Sequence, residues 1–145
     1  MLNPLGFSVV IEQFAALRVQ VNDEWHAMKA IAAGPKLVVS AEELVKAGSL
    51  AEKAPLGRAL RKFLKTLPDD QLFALLALIY AGRDKKPNPV AYWHSTIRST
   101  VQSRSAAIEV VLDKEQAAEY VRRAIESFAP GLELEALPSL LSIPT

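Results

Sequence analysis

Pro68-Asp69-Asp70-Gln71-Leu72-Phe73-Ala74-Leu75-Leu76-Ala77-Leu78-Ile79-Tyr80-Ala81-Gly82 decides how this chain folds. Its apolar residues run nearly all the way round a helix, and a helix of that kind belongs in the middle of a core. Pro68 and the two aspartates mark its start, because acidic side chains in a first turn face the positive end of the helix dipole. Gly82 reads as its C-terminal cap. The remaining periodic segments are then expected to wrap around it.

Upstream, Val10, Phe14, Leu17, Val21, Trp25, Met28 and Ala32 follow steps of 4, 3, 4, 4, 3 and 4 within Phe7–Ala33. This is one apolar stripe on a helix, ended by Gly34-Pro35. Unbroken, it is about 40 Å long, although Asn22-Asp23 could divide it in two. Lys36–Val39 reads as a short connector. Ser40 to Glu43 is a capping box opening a short helix that ends at Gly48. Lys53–Thr66 reads as a further helix, with Leu56, Leu60, Phe63, Leu64 and Leu67 on its apolar side.

Downstream, Arg83 to Pro87 reads as a polar loop. Asn88-Pro89 opens a helix, with Asn as N-cap and Pro in the first turn, and its stripe is Val90, Trp93, Ile97 and Val101. Ser103 to Ser105 is a break. Ala106–Leu112 contains the β-branched Ile108, Val110 and Val111, but no partner strand is evident, so it reads as a short helix. Asp113 is expected to cap a final helix to about Phe128, with Ala117, Tyr120, Val121, Ala124 and Phe128 inward. Pro130-Gly131 ends it, and a leucine-bearing tail follows to Thr145.

These segments predict an all-α fold. It is a compact bundle of about five to seven helices with a long N-terminal helix and no substantial sheet. The 145 residues form a single helical domain: residues 1–34, a body at 40–128 and a tail at 130–145. Half of the residues are hydrophobic and 23% are charged, which excludes a disordered chain. There is no cysteine, which excludes disulfides and thiolate chemistry and suits a cytoplasmic location. The start carries no basic residue and does not read as a secretory signal. The longest apolar run, Leu72–Ala81, is about half of a membrane span, so no membrane association is expected.

At residues 68–128 the pattern is an acidic turn, then a leucine-rich helix ending in Tyr80-Ala81-Gly82-Arg83. After it come a polar loop, a helix with an early Trp93, the apolar Ile108–Leu112 and an amphipathic terminal helix. This resembles the bacterial family DUF3775, a domain of unknown function. The chain departs from it at Asp84, where the family tends to have a small residue, and at Ala124, where it tends to have glycine. The resemblance implies an all-α fold and no particular activity.

Chemistry is tested by residue type. Metal sites need clustered ligands. His26 and His94 are far apart, and the pair Asp23/His26 has no second pair to match it. No nucleophile elbow surrounds any serine, and no glycine spacing cradles a phosphate. No catalytic residue, metal ligand or cofactor is therefore expected, and an enzyme of unknown reaction ranks last among the functions weighed.

Residues 53–104 carry ten basic and three acidic side chains. Arg58, Arg61, Lys62, Lys65, Arg83, Lys85 and Lys86 are the candidate surface for nucleic acid or another anion. The pI near 8.0 is low for a dedicated nucleic-acid binder, so this reading ranks second. The leading expectation is an interaction module that self-associates. Val9, Ile11, Ala15, Ala16 and Val19 widen the first stripe beyond what one core-facing side requires. A homodimer is expected through this helix, with Val10, Phe14, Leu17, Val21 and Trp25 as its face, and no small-molecule ligand is specified. Arg83 is expected to be structural, holding helix C-terminal carbonyls or a nearby carboxylate.

Overall fold

In the computed structural model the stretch rich in leucine is the helix that the others surround. The structure describes residues 6–33 and 55–141. Among these residues there are seven helices and no strand. They are α1 (Phe7–Ala33), α2 (Pro55–Thr66), α3 (Asp69–Asp84), α4, α5 (Arg104–Asp113), α6 and α7 (Leu137–Leu140). Helix α4 starts at Pro89–Tyr92, passes through a π-helical turn at Trp93–Ile97 and finishes at Arg98–Thr100. Helix α6 is Ala117–Arg123 continued by a π-helical turn at Ala124–Phe128. The connector, capping box and short helix expected between Gly34 and Gly48 lie outside the described residues.

Helix α3 is buried from Gln71 to Gly82 except at Tyr80, and it touches α4, α5, α6 and α7. Leu72, Leu75, Leu76, Leu78 and Ile79 are each 0% exposed, and burial of such a side chain contributes about 2 kcal/mol. Helix α1 packs on α2 and α6, and α2 also reaches α5. One hydrophobic cluster draws on all seven helices.

Several expectations need correction. Asn22-Asp23 does not divide α1, which is continuous. Asn22 instead uses its side chain across the bundle, donating to the Glu115 carbonyl at 2.8 Å. Gly82 does not cap α3. The helix continues to Asp84, and Lys85 takes the left-handed turn at φ 59°, with its N–H and that of Lys86 returning to the Ala81 carbonyl. Gly82 serves packing: a Cβ there would lie 1.7 Å from the Tyr120 carbonyl oxygen, so only glycine lets α6 approach this closely. Asp113 is the last residue of α5 and caps nothing, and α6 begins after a turn at Gln116, which makes no side-chain cap.

Other signals act where expected. Asn88 accepts from the Ala91 N–H, and Ser103, within the expected break, accepts from the Ala106 N–H to open α5. The β-branched segment 106–112 is helical. The tail packs down: Leu137 and Leu141 are fully buried, Trp93 Nε1 donates to the Leu141 carbonyl at 3.2 Å, and Trp93 packs on Phe73.

Helix ends are closed by residues distant in sequence. Phe7 and Ser8 N–H donate to Glu135 at 2.9 Å, so a tail carboxylate caps α1. Glu24 accepts from Leu56 and Gly57 N–H and caps α2. Each satisfies orphan donors at the positive end of a helix.

Candidate functional site

The seven basic residues proposed for an anion surface fall into two groups, Arg58, Arg61, Lys62 and Lys65 on α2 and Arg83, Lys85 and Lys86 at the end of α3. Helix α3, about 24 Å long over its 16 residues, separates Lys65 from Arg83, Lys85 and Lys86. Arg58, Lys62 and Lys65 lie on the exposed side of α2. Arg61 is paired with Glu109 at 2.5 Å, and this hydrogen bond holds the Glu109 carboxyl below its usual range. Arg104, nearby in the fold, is committed to Asp69 and to the carbonyls of Leu64 and Lys65.

Arg83 donates to Asp84 at 2.9 Å and lies over the Tyr80 ring, 4.5 Å from its centroid. Asp84 also accepts from the Tyr92 hydroxyl at 2.5 Å. Arg83 first, and Tyr92 after it, pull the Asp84 carboxyl below its usual range. The same bond pushes the Tyr92 phenol up. The cluster therefore ties the α3–α4 loop together through a carboxylate. Helix carbonyls are held by other arginines: Arg104 serves the end of α2, and Arg18 donates to the Leu112 carbonyl at the end of α5. Arg18 is only 6% exposed, and its other donors go to Asn22 Oδ1. Burial pulls its pKa down, and Glu115 nearby opposes this.

The face expected to dimerise is also placed differently. Val10 and Phe14 are 1% and 0% exposed, and Leu17 and Val21 pack against the same core. Helices α2 and α6 of the same chain cover this stripe. Trp25 is half-buried beside Lys29. The surplus apolar residues go elsewhere: Val9 and Val19 are 40% and 51% exposed, and Val19 belongs to a groove.

That groove, about 720 Å³, runs between α1 and α6. The two helices are antiparallel, since Asn22 and His26 meet Glu115 at the start of α6 while Ser8 meets Glu135 beyond its end. Ile11, Ala15 and Val19 form one side of the floor at helical spacing, and Ala118, Val121 and Ile125 form the other. The floor includes a small side chain from each helix, Ala15 of α1 and Ala118 of α6. Its rim carries Glu12, Asp23, Glu115, Glu119 and Glu126 against His26 and Arg122. Arg122 is taken up by Glu119 and Glu126, and Glu119 also pairs with Arg123. No ion pair holds Glu12 or Asp23 among the described residues.

The chain matches no family model, no curated protein and no solved structure.

At one end of the groove His26 Nε2 lies 2.6 Å from Glu115, both about half exposed. No serine, threonine or cysteine lines the groove to serve as a nucleophile beside them. Among the described residues no three His, Asp or Glu side chains converge as a metal site. Nor is any described helix long and apolar enough to cross a membrane. Residues of α6 were not foreseen as site residues. The only sequence signal for them is Ala118 beside Val121 and Ile125, which reads equally as core.

Proposed function

We propose that this chain is a non-catalytic interaction module that receives one helix of a partner protein along the α1–α6 groove. The observation that carries this reading is an apolar floor left open between two packed helices. A partner helix fills such a floor with side chains at steps of three and four. The floor extends the surplus apolarity of α1 noted in the sequence, and its exposed Val19 is the kind of surface that marks an interaction site.

Self-association is the competing occupant and is less favoured. The stripe first expected to mediate it is spent on the core, and a symmetric pair of grooves would set two acidic rims against each other. Anion binding by α2 is weaker again, because Arg61 and Arg104 already have acidic partners. A cytoplasmic site of action and the DUF3775 resemblance over residues 68–128 belong to the same proposal and are not needed for it.

The test uses a synthetic amphipathic peptide with a Leu/Ala face, followed by fluorescence anisotropy. Wild-type chain should bind it, and Ala15→Gln with Ala118→Gln, which fills the floor with polar side chains, should not. Binding that survives this substitution at an unchanged melting temperature refutes the reading.

A further inference from the structure

The charges of the rim say what kind of helix the floor would take. From Ile11 to His26 the groove follows α1 for about 22 Å, the length of a helix of about 15 residues. Glu12 and Asp23 are eleven residues apart, close to three whole turns, so they stand on one side of α1 about 16 Å from each other. They mark the two ends of the apolar floor. Neither has an ion-pair partner among the described residues, whereas Glu119 and Glu126 on the opposite wall are already met by Arg122 and Arg123. The uncompensated charge of the groove is therefore negative and concentrated at its ends along α1.

Resting on the docking reading above, we infer that the occupant is an amphipathic helix from another protein, carrying lysine or arginine at both ends of its apolar face. Among the described residues, neither the groove nor the basic helix α2 of a second copy meets that description. Groove against groove brings Glu12 and Asp23 toward their own counterparts. The basic helix α2 has the right charge in Arg58, Lys62 and Lys65. Its apolar side, however, is spent on its own core, with Leu60 and Leu64 at 0% exposure, so it has nothing with which to fill the floor. A partner helix with both features gains from the floor by apolar burial and from Glu12 and Asp23 by attraction, which also steers its approach.

Two peptides of about 15 residues test this, sharing one Leu/Ala face and differing only in lysine or glutamate at both ends. At low ionic strength the lysine peptide should bind roughly tenfold more tightly than its twin, the sum of a few exposed charge contacts. The preference should shrink in high salt, where such contacts are screened. Glu12→Lys with Asp23→Lys should reverse the order at an unchanged melting temperature, since neither side chain supports the fold. Equal affinities at low ionic strength, or a tighter glutamate peptide on wild-type chain, overturn the inference and leave the docking reading standing. Binding of neither peptide overturns both. Formation of a chain dimer that buries Val19 and excludes the lysine peptide also overturns the inference.

Discussion

Gly82→Ala isolates the contact that positions one wall of the groove. In an ordinary helix interior this change stabilises by about 1 kcal/mol, because glycine has the larger backbone entropy to lose. Here the added methyl would stand 1.7 Å from the Tyr120 carbonyl oxygen, 2.5 Å from its carbon and 2.9 Å from its Cα. All three are backbone atoms of α6, so no side chain can swing aside. To reach ordinary contact the two helices must part by well over an ångström along the interface where Ala117, Val121 and Ala124 are buried against α3. Overpacking of this kind costs about 3 kcal/mol or more and outweighs the gain in helix propensity. A net loss of about 2–3 kcal/mol lowers Tm by roughly 5–10 °C for a chain of this size. Urea and thermal unfolding of the variant measure it. Gly131→Ala, where nothing lies within 4 Å of the added carbon, should be close to neutral as the control. A Gly82→Ala protein as stable as wild type or more so would refute the close approach of α3 and α6.

Arg18→Ala should destabilise by roughly 1–3 kcal/mol, since it removes a buried side chain and leaves the partly buried Leu112 carbonyl and Asn22 Oδ1 without their donor, and chemical denaturation reads this directly. Glu135→Ala should leave the global unfolding transition in place but speed amide exchange at Phe7, Ser8 and Val10, and unchanged exchange there would discount the cap. Asp84 has a depressed pKa in the folded state, so the unfolded chain binds the proton more readily. The stability this contributes is present above the ordinary carboxylate range, near pH 4, and is lost as pH falls through the lower folded value. Wild-type Tm should therefore drop more steeply below about pH 4 than that of Asp84→Asn, and parallel profiles would contradict the assignment.

Asn88 is legible as a cap in the sequence, whereas Gly82 and Asp113 resemble caps and act otherwise, and partners across the bundle are not legible. Asn88 and Ser103 act on amides three residues away, so their sequence neighbourhood contains the whole interaction. The all-round apolarity of Leu72–Ile79 likewise needs no knowledge of which helices cover it. A glycine after an apolar run has the sequence signature of a cap, and only its neighbour Tyr120 shows that Gly82 serves packing instead. Of the two partners expected for Arg83, the nearby carboxylate is the one it takes, in Asp84, while Arg18 and Arg104 hold helix-end carbonyls, since which arginine meets which helix end depends on packing across the bundle. For the candidate site, the surplus apolarity of α1 was visible at Ile11, Ala15 and Val19. Its division into a core stripe and a groove was not, because that follows from α6 lying antiparallel against α1. Val10 and Phe14 carry the same hydrophobic character as Val19, and only the tertiary contacts tell them apart.

The most direct test of the docking groove is an amide chemical-shift titration of the isotopically labelled chain with the lysine-ended peptide. The largest shifts are expected at Ile11, Ala15, Val19, Ala118 and Ile125, with Arg58, Lys62 and Lys65 on α2 unmoved. Shifts centred on α2, or none anywhere at saturating peptide, would contradict it.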